Sequence, residues 1–79
     1  MSNEDLEFYE RRFDLFALKG WTELIDDLDT LKQQLQDLSQ IRTEQDLWYR
    51  KGQLEMVNYL IQLKTLTEQA YEELINEGS

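Results

Sequence analysis

Apolar residues recur at helical spacing along almost the whole chain, and they are densest in the segment 54–66. One helical face there carries apolar side chains at steps of three and four residues: Met56, Tyr59, Leu63 and Leu66. A second set covers much of the surface beside it: Leu54, Val57, Leu60 and Ile61. A helix that is apolar over most of its circumference is enclosed by neighbours. We therefore expect at least two neighbours for this helix, from its own chain or from another copy.

Two further helices are predicted before this segment. Ser2 or Asn3 can cap the first helix, whose apolar face is rich in aromatic rings: Leu6, Tyr9, Phe13 and Phe16. The second shows the alternating three and four spacing of a heptad seam: Trp21, Leu24, Leu28, Leu31, Leu35 and Leu38. Both faces are typical of helices that pack against other helices.

The segment around Gly20 separates the two apolar registers, which differ by one residue. Gly20 could end the first helix, and Thr22 could cap the second. A continuous helix through Gly20 is the alternative, because an internal glycine costs only about 1 kcal/mol. The pattern favours a break or sharp kink here.

A second connection lies at 39–43, where Thr43 can cap the last helix and Asp46 occupies the capping-box position. A short loop between long amphipathic helices makes them antiparallel neighbours. We predict an all-α single domain over 1–79, with helices at about 3–18, 22–39 and 44–76. The expected architecture is an antiparallel helical hairpin with an additional N-terminal helix, a small three-helix bundle that self-associates.

Composition restricts how so short a chain can be stabilised. Its 79 residues include no Cys and no His, so disulfides and the usual metal ligands are excluded. Oligomerisation is then the remaining common aid for a domain of this size. With 17 acidic and 8 basic residues, the net charge is −9, which disfavours direct nucleic-acid binding. No stretch predicts a membrane span, and the acidic N-terminus lacks the features of a secretory signal.

No arrangement of residues predicts catalysis. The chain lacks His, its serines have no base partner, and its carboxylates fall mainly on polar faces. No glycine-rich phosphate loop is present. We therefore expect a protein without enzymatic activity and without a cofactor.

The densest aromatic and basic cluster comprises Trp48, Tyr49, Arg50 and Lys51. Trp, Tyr and Arg are enriched at the centres of protein interfaces. Together with the second apolar side at Val57, Leu60 and Ile61, these residues are our candidates for a protein-binding surface. The alternatives are that Trp48 and Tyr49 belong to the core while Arg50 and Lys51 form ion pairs, or that the cluster contacts nucleic acid.

Three segments resemble small helical proteins of tailed, podovirus-like bacteriophages for which no activity is established. They are Gly20-Trp21, the segment from Leu47 to Leu54 (LWYRKGQL), and the segment from Ala70 to Leu74 (AYEEL). The resemblance spans about residues 13–74. It implies a role in the virion or in the cytoplasm of the infected host, and it brings no catalytic residues.

Two functions are compatible with these features. The first is a helical assembly module, a virion or morphogenesis component that packs against itself or a larger phage or host protein. The second is an acidic inhibitor that occupies the basic nucleic-acid groove of a host enzyme. Its candidate phosphate surrogates are the carboxylates of Glu23, Asp26, Asp27, Asp29 and Asp37.

Overall fold

The computed structural model describes residues 2–77, and every regular element within that range is helical. The elements are α1 (Asn3–Phe16), α2 (Lys19–Leu35), a short 3-10 helix (Leu38–Gln40), α3 (Glu44–Ile61) and α4 (Leu63–Glu77). The prediction of an all-α chain is therefore confirmed. The arrangement differs from the predicted three helices, because both long arms of the hairpin are interrupted.

Two predicted helix starts have the expected caps. The Ser2 hydroxyl accepts a hydrogen bond from the Asp5 N–H at 3.1 Å, and the Thr43 hydroxyl accepts one from the Asp46 N–H at 3.1 Å. Each bond satisfies an amide that has no partner inside its helix. Asp46 in turn accepts a bond from the Arg42 N–H at 3.4 Å. These contacts fix where α1 and α3 begin.

The chain doubles back between α2 and α3, and helix packing occurs mainly in two pairs, α2 with α3 and α1 with α4. The pairing keeps one antiparallel register from end to end. Arg50 reaches the Gln34 carbonyl near the turn, and the Tyr9 ring lies 5.2 Å from the Tyr71 ring near the termini. In two antiparallel helices that keep one register, the numbers of facing residues have a nearly constant sum, and these two pairs give 84 and 80. The molecule is thus a long hairpin in which α1 extends the first arm.

The first arm is interrupted at Ala17 and Leu18, earlier than predicted. Leu18 is extended, with φ −74° and ψ 140°, and it precedes α2 without a side-chain cap. Gly20 lies inside the first turn of α2 and does not adopt a positive φ, and Thr22 is not a cap. The break resets the helix phase, because Phe16 and Trp21 both point inward although they lie five residues apart. Their rings are 5.0 Å apart.

The second arm is interrupted at Gln62, so the predicted single helix over 44–76 is two helices. The break is slight, since the Gln62 N–H donates to the Asn58 carbonyl and the Leu66 N–H donates to the Gln62 carbonyl. The inward positions nevertheless change phase here, from Val57 in α3 to Thr67 in α4. The two breaks lie at the same level of the hairpin, about 22 residues on either side of the turn.

The buried core is small, and it lies between the arms. Phe16, Leu35 and Val57 are the buried apolar side chains among residues 2–77, and Thr67 is the buried polar one. The Thr67 hydroxyl donates to the Leu63 carbonyl at 2.7 Å, which removes the cost of burying it unpaired.

Several residues expected in the core are on the surface. Of the predicted heptad seam, Trp21, Leu28 and Leu35 are at least half-buried, whereas the other three positions are exposed: Leu24, Leu31 and Leu38. On the last helices, Met56 is 59% exposed and Tyr59 is 52% exposed. The face that carries Val57 points inward instead, because that face meets the buried positions of α2.

The molecule is extended for its length. Its radius of gyration is 16.8 Å, and its principal extents are 52 × 27 × 16 Å. A compact chain of this length would have a radius of gyration of about 12 Å. The accessible surface is 6347 Å², whereas a monomer of this mass normally exposes about 5,100 Å². The hairpin therefore leaves roughly 1,200 Å² more surface open than a compact fold would.

Candidate functional site

An apolar surface runs along one side of the hairpin and involves all four α-helices. We call it the open face and define it by seven exposed side chains: Phe8, Leu24, Leu31, Tyr49, Met56, Tyr59 and Leu66. Their exposed fractions range from 39% for Leu66 to 71% for Tyr49. This surface contains half of the exposed large hydrophobic side chains of residues 2–77, so it is the main candidate for a binding site.

Helix geometry places the α2 and α3 members of the open face on the same side. Leu24 and Leu31 stand four residues before and three residues after the half-buried Leu28. On α3, Gln53 lies four residues before the buried Val57, and Leu60 lies three residues after it. Because both helices are right-handed and antiparallel, equal offsets from inward residues lie on the same side of the pair. Two of the three α3 members, Tyr49 and Met56, precede Gln53 and Leu60 by one turn each. The third, Tyr59, lines a groove together with Leu66.

The α1 and α4 members meet in a shallow groove of about 280 Å³. The groove is lined by eight residues of α1, α3 and α4: Phe8, Tyr9, Arg12, Tyr59, Leu63, Leu66, Thr67 and Ala70. It contains three residues of the apolar face that the sequence analysis identified in the segment 54–66: Tyr59, Leu63 and Leu66. The packed rings of Tyr9, Phe13 and Tyr71 lie between α1 and α4, with Phe13 and Tyr71 5.3 Å apart.

The open face carries a minority of the chain's 17 acidic residues. By the same helical offsets, its charged positions are Glu4, Asp5, Arg12, Asp27, Glu73 and Glu77, with Glu23 at the margin. Arg12 also lies 5.0 Å from the centre of the Phe8 ring, in a cation–π contact. The part of the face on α2 and α3 has Asp27 as its charged position, and the other charged positions lie on α1 and α4.

Gly52 belongs to the same side of α3. A glycine inside a helix often marks the close approach of a neighbour, but a Cβ built at Gly52 would meet no heavy atom within 4 Å. The space above this glycine is therefore open within the single chain.

A second apolar surface lies at the closed end of the hairpin. We call it the closed-end groove; it has a volume of about 420 Å³. Its lining comes from the turn and the adjoining helices: Leu35, Gln36, Leu38, Ile41, Leu47, Trp48, Arg50, Lys51 and Leu54. Leu38 and Leu47 were missed as candidates. The signal available in the sequence was their position on either side of the turn, which brings them together.

The predicted aromatic and basic cluster divides between different environments. Trp48 is 58% exposed and Lys51 covers its ring at 5.1 Å, both at the closed-end groove. Tyr49 points to the open face. Arg50 donates to Gln40 Oε1 at 3.0 Å and to the Gln34 carbonyl at 3.4 Å, so it joins the turn to α2. The alternative in which Arg50 and Lys51 form ion pairs does not hold among residues 2–77, since neither side chain has a carboxylate within 4.0 Å there.

Val57, Leu60 and Ile61 do not form a second, outward side. Val57 is buried, and the other two are half-buried. The interface that we predicted for these residues is internal, between the arms of the hairpin. The outward apolar surface instead contains five residues from the predicted packing faces: Leu24, Leu31, Met56, Tyr59 and Leu66.

The five acidic candidates are exposed but do not converge. Asp27 and Asp29 lie on opposite sides of α2, about 160° apart, because consecutive residues turn by 100°. Glu23 and Asp26 lie toward the outer surface of the same helix. Asp37 accepts hydrogen bonds from the Ser39 hydroxyl at 2.6 Å and from the Ser39 N–H at 3.0 Å.

The hydrogen bonds from Ser39 also change the pKa of the Asp37 carboxyl. The Ser39 hydroxyl bond, followed by the Ser39 backbone bond, lowers the pKa of Asp37 from its ordinary value of 3.8. Both bonds stabilise the charged carboxylate. Arg50 contributes a smaller attraction in the same direction. Asp37 therefore stabilises the turn before α3.

Two kinds of feature are absent from residues 2–77. No group of three or more carboxylates there is placed to hold a metal ion. None of the helices in this range combines the length and hydrophobicity needed to cross a bilayer.

Comparison with known proteins gives no relative. No protein-family model, no curated protein sequence and no solved structure matches the chain. The functional conclusion therefore depends on the surfaces described above.

Proposed function

We propose that this protein is a non-enzymatic helical interaction module that assembles with itself or with a larger protein through the open face. One observation carries the proposal. Among residues 2–77, three apolar side chains are buried, whereas fourteen large hydrophobic side chains are exposed. Contiguous exposed apolar surface of this kind marks a site of association.

The small core supports the proposal energetically. Burying a large apolar side chain contributes about 1.5–3 kcal/mol, so three such residues provide little stability for a chain of this length. The chain has no Cys with which to form a disulfide. Association that covers the open face would supply the missing burial.

The biological setting follows from the resemblance to small helical proteins of podovirus-like phages. In that setting the module is a virion or morphogenesis component, located in the infected cell or in the particle. Its partners are proteins, either copies of this chain or a larger phage or host protein. The net charge of −9 supports binding that involves neither nucleic acid nor a membrane.

The proposal is tested by retaining partners on the immobilised protein. The immobilised chain is exposed to purified free chain and to a lysate of the producing cell, and then washed with about 0.1 M and about 0.5 M salt. We expect retention of the free chain or of a larger protein at both salt concentrations, because apolar contacts resist screening. Retention of neither would contradict the proposal.

The acidic-inhibitor alternative makes the opposite prediction in the same experiment. A partner held by carboxylates would be released by about 0.5 M salt, because ions screen exposed charges. Glu23, Asp26, Asp27 and Asp29 spread over about 160° of the circumference of α2, which does not support a single phosphate-mimicking surface. We therefore keep the apolar assembly module as the proposed function.

A further inference from the structure

We propose that the occupant of the open face is a second copy of this chain, packed face to face so that the two hairpins form a four-helix arrangement. This inference rests on the proposed function and specifies its partner. The contact would be isologous, meaning that each chain contributes the same surface and each open face covers the other.

The extra accessible surface of the whole chain is sufficient for such a contact. The chain exposes roughly 1,200 Å² more than a compact monomer of its mass. A stable protein interface buries about 800 Å² on each partner. The excess is therefore large enough for one standard interface on each chain. Pairing two hairpins would bring the assembly toward the compactness that the single chain lacks.

The spacing of the apolar residues also suits another two-helix hairpin. Leu24 and Leu31 are seven residues apart on α2, and Tyr49 and Met56 are seven residues apart on α3. Two neighbouring stripes with heptad spacing are the pattern by which helices pack in four-helix bundles. The open space above Gly52 lies beside the second stripe and allows close approach of a partner helix.

Charge favours the α2–α3 part of this face for contact between two identical acidic chains. Each chain carries a net charge of −9, so most surfaces of one copy would repel the other. The part of the open face that carries Leu24, Leu31, Tyr49 and Met56 includes Asp27 as its charged position, with Glu23 at its margin. Two copies that meet there keep most of their carboxylates apart and in water.

Two triple variants test the inference. The open-face variant L24Q/L31Q/M56Q removes side chains that are 48%, 40% and 59% exposed. The matched control L38Q/L47Q/W48Q removes three from the closed-end groove, which are 75%, 45% and 58% exposed. Gln is compatible with a helix, so both variants should retain the helical circular dichroism of the wild type.

Sedimentation equilibrium of the purified chains gives the decisive masses. We expect the wild type and the control variant to be dimers. For the open-face variant we expect a dimer dissociation constant that is higher by a factor of about 100 or more. If the triple open-face variant loses helicity, the single variant M56Q replaces it, with at least a several-fold weaker association expected.

Several results would overturn the inference. One is a wild type that stays monomeric at all concentrations; the proposed function would survive that result if the lysate experiment retained a larger protein at high salt. Another is dissociation of the control variant, which would place the contact at the closed-end groove. An open-face variant that remains folded and as dimeric as the wild type would also contradict it.

Discussion

The ring of Phe16 lies 5.0 Å from the ring of Trp21, centre to centre. In an uninterrupted helix, residues five apart point about 140° away from each other. The extended backbone of Leu18 removes this difference in phase, so both rings face the second arm. Packing between the arms therefore determines where the first arm is interrupted.

Replacing Phe16 tests the importance of this contact. Phe16 is 6% exposed, and F16A would leave a cavity between α1, α2 and the second arm. We expect the free energy of unfolding to fall by about 3 kcal/mol in urea denaturation at fixed chain concentration. L15A is the control, because Leu15 is 40% exposed; its loss should be about 1 kcal/mol. Equal losses in the two variants would contradict this account of the core.

The different roles of Thr43 and Thr22 at the starts of α3 and α2 give a second prediction. Thr43 caps α3, so T43A should reduce the free energy of unfolding by about 1 kcal/mol. Thr22 lies inside α2 and caps nothing, so T22A should cause no loss, and the higher helix propensity of Ala favours a slight gain. Thermal denaturation followed by circular dichroism compares the two variants. If T22A lowered the free energy of unfolding as much as T43A does, Thr22 would have to act as a helix cap.

The turn depends on Arg50 rather than on the neighbouring Lys51. R50M removes the bonds to Gln40 and Gln34, and we expect it to cost about 1–2 kcal/mol of unfolding free energy. It should also accelerate amide hydrogen exchange in the segment 36–43. K51M removes only an exposed cation–π contact, worth about 0.5 kcal/mol. If K51M accelerated exchange in the turn as much as R50M, the role assigned to Arg50 would be wrong.

The sequence predicted the helical class, the turn and both capped helix starts because these depend on residues close together in the chain. Ser2, Thr43 and the spacing of apolar residues each act locally. The breaks at Leu18 and Gln62 have no local cause of this kind. The shift of apolar register predicted a break near Gly20, but its position at Leu18 and the second break at Gln62 follow from the match of apolar registers between the paired arms.

The candidate site was harder to predict for a related reason. Helix 54–66 has apolar residues around most of its circumference, and spacing alone does not tell which side meets the first arm. We expected neighbours on both sides of this helix, with the Val57 side covered by its own chain or by another copy. In the structure Val57 is buried within the chain, whereas Met56 and Tyr59 are exposed. The inference that one neighbouring arm leaves apolar surface uncovered still describes this helix, but the uncovered side is different.

Asp37 provides a prediction about pH. Its pKa is lowered in the folded chain, so its bonds to Ser39 contribute fully above the ordinary value of 3.8. That contribution is lost as the pH falls through the lowered value, because protonation removes the charge that the bonds stabilise. In an NMR titration of the Asp37 carboxyl carbon, S39A should move the pKa upward toward 3.8 without reaching it, since the backbone bond remains. An unchanged pKa in S39A would contradict the assigned cause.

The most direct test of the central claim is the accessibility of the open face as a function of protein concentration. The chain has no cysteine, so the single variants M56C and K51C each introduce one thiol, on the open face and at the closed-end groove respectively. We predict that thiol labelling of M56C slows at least several-fold as concentration rises through the range of association, while labelling of K51C stays constant. Labelling of M56C at a rate independent of concentration would contradict the claim that this face is covered by association.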